Sequence, residues 1–157
     1  YKKVDLVVKA FNKNRKKLYI VGEGSELENL RDMAHDNICF LGQVDDGKLK
    51  TLYQNAKAVI FPQREDFGLV PLEAQGCGTP VIAYRRGGAR ETIKKSITGI
   101  FFEKQTVSSL NRCVNKFLKM RISYLSCINN AKSFSESKFK RELLLFVNSC
   151  LEENGCR

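Results

Sequence analysis

Two glutamates with seven residues between them, Glu65 and Glu73, bracket the segment Phe67-Gly68-Leu69-Val70-Pro71 and are the side chains of this sequence best placed to do chemistry. Carboxylates accept strongly from paired hydroxyls, the donors that a sugar or a ribose presents. Gly68 removes a side chain from the loop between them, so backbone N–H groups can come close to an anion. Pro71 suits the first position of a helix, where its missing N–H would have been unpaired anyway and its φ is already set. The free N–H groups and positive dipole end of that helix would then face whatever occupies the loop. Glu73, about half a turn further on, would reach back over the same pocket. The helix end is therefore read as holding a phosphate or sugar ring, with one glutamate on hydroxyls to either side. Taken without its neighbours, Glu73 could equally cap its own helix or pair with an arginine.

Such a site needs a strand to deliver Glu65 and a helix to carry Glu73. Residues 58–61 (AVIF) form a short apolar run that ends at Pro62, and residues 70–76 follow as the helix. The same alternation runs through much of the chain. Helical spacing marks residues 4–11, 27–34, 45–55 and 89–93, while short apolar runs at 18–21, 38–41, 81–83 and 99–102 read as strands. Unalternating apolar strands separated by helices indicate an α/β fold, a Rossmann-like parallel sheet with helices on both faces. Right-handed crossovers place the strand-end loops on one edge, where open α/β domains bind ligands. Those loops begin at Gly22, Gly42, Pro62 and Tyr84. After residue 102 the pattern is wholly helical. One stripe is Val107, Leu110, Val114, Phe117 and Leu118, capped by Thr106 or Ser108. A second helix covers residues 123–131. Another stripe runs through Phe139, Leu143, Phe146, Val147, Cys150 and Leu151, capped near Ser135 or Ser137. These helices are expected to cover sheet edges.

Other candidate groups are weaker. Gly22-Glu23-Gly24 is a strand-end turn, too short for the dinucleotide fingerprint. Gly87-Gly88 with Glu91 reads as a close-approach loop and a helix start, with Glu91 in a capping role. Arg64, Arg85, Arg86 and Arg90 flank the rim, where surface pairing is the ordinary use of each. Asp45-Asp46 opens a helix and is read as its N-terminal cap rather than as a metal motif. One histidine, His35, builds no nucleophilic triad, and the six cysteines form no CxxC pair. Most of the cysteines fall in apolar patterns and are read as reduced core thiols. No metal or cofactor is expected.

At 157 residues the chain is about the size of one domain, and no apolar run approaches the roughly 20 residues that span a bilayer. Lys and Arg outnumber Asp and Glu by 27 to 17, a net charge of +10. The basic residues are scattered over polar helix faces, which favours solvated surfaces. Peripheral attraction to an anionic membrane is the second reading. Nucleic acid is disfavoured because the aromatic residues sit at apolar-periodic positions rather than among the charges. Tyr1 opens directly into a helical pattern with no strand before it, so a fragment of a longer, cytoplasmic protein is expected.

The runs Glu65-Asp66-Phe67-Gly68-Leu69-Val70-Pro71-Leu72-Glu73-Ala74, Cys77-Gly78-Thr79-Pro80-Val81-Ile82-Ala83 and Gly87-Gly88-Ala89-Arg90-Glu91 closely resemble glycosyltransferase family 4, retaining enzymes of GT-B fold. The wording around "EDFG" and "AYRRGGARET" is most similar to bacterial mannosyltransferases of surface-polysaccharide assembly. The resemblance implies that residues 1–157 form one donor-binding domain, with 103–157 as its helical part. An amino-terminal acceptor domain would lie outside it, so the fragment alone is expected to be inactive. It further implies that Glu73 binds ribose hydroxyls, that Glu65 faces the donor sugar as the catalytic carboxylate, and that Phe67, Gly68, Leu69 and Val70 line the donor. Lys2 matches the family's diphosphate-binding lysine, although the partner arginine upstream is not in this chain. Gly22 would touch phosphate or base, and Gly42 with Val44 resembles the segment beside the nucleobase. The implied donor is a nucleoside-diphosphate sugar, GDP-mannose before a UDP-sugar, and the implied acceptor a lipid-linked or polysaccharide glycan. A non-catalytic nucleotide-sugar or anion-binding module is the rival reading. In GT-B enzymes the last helix crosses to the other domain, which leads us to expect part of its apolar face to be exposed.

Overall fold

The structure is a computed structural model and describes residues 1–153. Cys156, read above among the reduced thiols, lies outside them. From the first residue onward the elements are α1 (Val4–Asn14), β1 (Leu18–Ile20), α2 (Leu27–Asp32), β2 (Ile38–Phe40), α3 (Asp46–Asn55), β3 (Val59–Phe61) and α4 (Leu69–Gly76). There follow β4 (Val81–Tyr84), α5 (Ala89–Thr92), β5 (Gly99–Phe102), α6 (Val107–Phe117), α7 (Tyr124–Lys132) and α8 (Glu136–Glu153).

Successive side chains of a strand point to opposite faces, and here both sets are apolar. Ile60, Ile82, Ile100 and Phe102 join one core with α1 and α6, whose Leu6, Val7, Val8, Phe11, Leu110, Val114 and Phe117 are buried there. Val59, Phe61, Val81, Ala83 and Phe101 join a second core with Ala74 of α4 and Ala89 of α5. Both faces of the sheet are thus covered, as unalternating strands require. Fully burying a side chain the size of Phe61 contributes about 1.5–3 kcal/mol, so the second core is what holds α4 against its strand.

All strand pairs are parallel, but the hydrogen-bonded sheet is in two pieces, β1-β2 and β3-β4-β5. Each piece packs on the same core through Leu18, Ile20, Phe40, Ile60 and Ile82. The parallel sheet with helices on both faces that the sequence predicts is thus present, its strands hydrogen-bonded in two groups.

Helix ends follow the expected chemistry at two places. Asp45 caps α3, its carboxylate accepting from the Lys48 N–H at 2.8 Å, and Thr106 caps α6 through the Ser109 N–H at 3.3 Å. Elsewhere the expectation changes. α6 lies on the face formed by β4 and β5 and against α1, and α7 packs on α4, so these helices cover faces and helices rather than sheet edges. Phe139, Leu143, Phe146, Val147 and Leu151 of α8 are exposed. Cys113 and Cys127 are buried thiols, while Cys39, Cys77 and Cys150 are half-buried, so two of the five described cysteines are core residues. No helix among the described residues is long and apolar enough to cross a membrane.

Candidate functional site

β3 ends in Phe61, which is buried and lies directly beneath Gly68. Gly68 has φ +79°, and a Cβ on it would stand 3.1 Å from the Phe61 ring. The left-handed turn at Gly68 starts α4 at Leu69, two residues earlier than Pro71 predicts, so Pro71 is the third helical residue and is buried. Its missing N–H still falls among the first four that a helix leaves without partners. Glu73 consequently sits a full turn into the helix rather than half a turn.

Among the described residues, the backbone N–H groups of Phe67, Gly68, Leu69 and Val70 donate to no protein acceptor. Four consecutive free donors at the positive end of a helix are a geometry that favours an anion. The tip is open, because Leu69 is 62% exposed and Val70 and Phe67 are also exposed. Phe67 directs its ring toward α8, where it borders a 510 Å³ recess with Phe134, Lys138 and Phe139.

Glu65 lies in the loop before this tip and Glu73 a turn into the helix behind it, and among the described residues each accepts one hydrogen bond. Glu65 is half-buried and its Oε1 accepts from Gln63 Nε2 at 3.1 Å. Gln63 is itself buried, and the carbonyl of neighbouring Pro62 accepts from Gln105 Nε2 at 2.8 Å, which ties the loop to the end of β5. Glu73 is exposed, and its Oε2 accepts from the Tyr53 hydroxyl at 3.2 Å. Burial pushes the Tyr53 phenol well above the ordinary tyrosine range, and the charge and hydrogen bond of Glu73 push it further. It remains a donor at neutral pH. Neither carboxylate faces an arginine or lysine within ion-pair distance among the described residues, which removes the pairing alternative for Glu73.

The loop is shaped from behind by Gly87 and Gly88. The Gly88 N–H donates to the Glu65 carbonyl at 2.9 Å. A Cβ on Gly87 would stand 2.1 Å from that carbonyl oxygen, and one on Gly88 2.3 Å from the Asp66 carbonyl. The close-approach reading of this pair therefore holds, and what approaches is the backbone of Glu65, Asp66 and Phe67. Glu91 falls in the first turn of α5 as read, where a negative charge suits the helix dipole, but its carboxylate makes no capping hydrogen bond among the described residues. Thr92 instead donates to the Gly88 carbonyl at 3.2 Å. Beneath, Gln75 of α4 donates to the Pro71 and Thr92 carbonyls, both at 3.0 Å, and Asn130 of α7 donates to Gln75 Oε1 at 2.7 Å and to the Thr92 carbonyl at 2.9 Å. This buried network locks α4, α5 and α7 together under the tip.

A second group of predicted residues meets at the ends of β1 and β2. The Gly22 N–H donates to the Gly42 carbonyl at 2.8 Å, and Val44 follows just before the α3 cap. Lys2 precedes α1, fully on the surface, and its ammonium lies 5.8 Å from the Tyr1 ring. No hydrogen bond or ion pair joins Lys2, Gly22 or Gly42 to the glutamates among the described residues. Of the flanking arginines, Arg85 pairs with Glu103 at 3.0 Å and Arg86 stacks over Tyr84. Gln63, Gln105 and Tyr53 are not singled out by the sequence.

A family model described as glycosyl transferases group 1 matches residues 1–134. An uncharacterized glycosyltransferase of Methanocaldococcus jannaschii is 33% identical over 137 residues, covering 83% of this chain and 35% of its own. A GDP-mannose-dependent alpha-(1-6)-phosphatidylinositol monomannoside mannosyltransferase of Mycobacterium tuberculosis is 35% identical over 114 residues, 64% of this chain and 30% of its own. The chain thus spans about a third of the length of these relatives. Among solved structures, sucrose-phosphate synthase from Thermosynechococcus elongatus superposes with TM-score 0.82 at 24% identity, over 97% of this chain and 43% of that one. With a family model covering most of its length and the fold in agreement, this chain belongs to the group 1 glycosyl transferases.

Proposed function

We propose that the chain is the donor-binding domain of a retaining hexosyltransferase that takes mannose from GDP-mannose to a lipid-linked or polysaccharide acceptor. The observation that carries this reading is the open tip of α4, four unbonded N–H groups between two accessible carboxylates. That arrangement supplies donors for an anionic or polar ring substituent and acceptors for hydroxyls on either side, the recognition set of a nucleoside-diphosphate sugar. The mannosyltransferase relative, itself described as GDP-mannose-dependent, supports GDP-mannose as the donor.

In this reading Glu73 accepts from the ribose, and Phe67, Gly68, Leu69 and Val70 hold the donor through their N–H groups. Gly22, Gly42 and Val44 border the phosphate and base, and Lys2 meets the diphosphate. As the bond from the sugar C1 to the diphosphate oxygen breaks, negative charge grows on the leaving group, where a cation and a helix tip stabilise the transition state more than the ground state. Glu65 faces the positive charge that develops on the sugar ring. The new bond from C1 to the acceptor oxygen forms on the same face, and the acceptor proton leaves with the departing phosphate.

Calorimetric titration of the chain with GDP and UDP, with Glu73→Ala alongside, tests the reading. GDP binding that weakens at least about tenfold in the variant supports it. Tighter binding of UDP moves the assignment to a UDP-sugar, and binding unchanged by Glu73→Ala overturns the donor site.

A further inference from the structure

We propose that Tyr53 is a positioning residue that fixes Glu73 for the vicinal ribose hydroxyls, so that the site selects ribonucleoside over deoxyribonucleoside diphosphates. The inference rests on the donor-site reading and assigns the specificity within it to a residue outside the glutamate-bearing loop and helix.

The tyrosine is held at both ends. Its carbonyl accepts from Thr79 Oγ1 at 2.5 Å and from the Ala56 N–H at 3.0 Å, which pins the last turn of α3 to the buried turn before β4. Its ring packs against the core around Phe61, Ala74, Val81 and Ala83. The hydroxyl therefore reaches Glu73 from a fixed base. Glu73 has no such support, since it stands exposed on α4 with the phenol as its one hydrogen-bonding partner among the described residues.

An ionised carboxylate only accepts, and a free glutamate at a helix surface samples several rotamers that must be lost on binding. The Tyr53 hydroxyl engages Oε2 and leaves Oε1 to the ligand. This orients one lone-pair face toward an incoming hydroxyl before it arrives. A pre-oriented acceptor rewards a ligand that carries the matching hydroxyl and leaves an unpaired acceptor under one that lacks it, which is how such sites discriminate. Burial and the neighbouring carboxylate keep the phenol protonated, so the donor is present at any neutral pH.

The test compares four ligands, GDP, UDP and their 2′-deoxy forms, and 3′-deoxy-GDP as a fifth, on the wild type, Tyr53→Phe and Glu73→Gln. The wild type is expected to prefer the ribose form by at least about tenfold over one of the deoxy forms. Tyr53→Phe, which keeps the ring and its packing, is expected to lose on the order of three- to tenfold in affinity for the ribonucleotide and little for that deoxy form, so that the preference collapses. A purely structural role would weaken both ligands equally, and that result overturns the inference. So does ribonucleotide binding unchanged in Tyr53→Phe when Glu73→Gln weakens it. Binding unchanged in Glu73→Gln instead overturns the donor-site reading, and the inference falls with it.

Discussion

The Glu65 carbonyl accepts from the Gly88 N–H at 2.9 Å, and the two segments are so close that no side chain fits on residues 87 and 88. The loop that carries the first glutamate is thus moulded on a glycine pair more than twenty residues later in the chain, and its shape depends on backbone meeting backbone.

Gly88→Ala should therefore disrupt the tip directly. Its Cβ would stand 2.3 Å and 2.5 Å from the carbonyl oxygens of Asp66 and Phe67, so one of the two segments must move. Overpacking of this kind costs about 1–3 kcal/mol. Nucleotide affinity should fall more than tenfold, and urea unfolding should show the lost stability. Wild-type affinity in the variant would show that the loop does not need this contact.

Asn130→Leu tests the network under α4. Removing the amide leaves Gln75 Oε1 and one of the bonds to the Thr92 carbonyl unmade in a buried site. A buried acceptor left unsatisfied costs about 1–3 kcal/mol. Asn130 Oδ1 has no partner among the described residues, and its loss offsets a part of that. A net destabilisation is expected, with the urea midpoint lowered and the dependence on urea unchanged. A more stable variant would count against the network as a clamp.

Alkaline pH should weaken the fold from about pH 9 upward. Burial pushes the thiols of Cys113 and Cys127 from 9.0 up to about 11, and Tyr53 shifts in the same direction from 10.0. Groups with raised pKa values in the folded state stay protonated there while the unfolded chain releases its protons first. Their contribution is fully present below about pH 9 and is lost as pH climbs toward 11. Urea unfolding between pH 7 and pH 10.5 checks this, and Cys127→Ala should flatten the alkaline decline relative to its own value at pH 7. A decline of the same slope in that variant would remove the thiol from the explanation.

The order of helices and strands was legible in the sequence because it rests on local signals. Apolar runs such as residues 58–61 and 81–83, the Asp45 and Thr106 caps and the β5 segment are each written in a few adjacent residues. Element bounds moved where a single backbone angle decided them. The +79° turn at Gly68 started α4 earlier than Pro71 suggested, and Arg15 in a left-handed conformation closed α1 at Asn14.

By itself the sequence determined the residue types of the site: two carboxylates, a glycine that bares the helix tip, and a glycine pair further on. It determined the alternation that covers both sheet faces, since that depends only on which side chains avoid water. Tertiary structure alone decided what each carboxylate touches. Tyr53 lies twenty residues from Glu73, and Gln105 forty-three from the carbonyl it holds, and pairings at such separations are set by how α3, β3 and β5 stack.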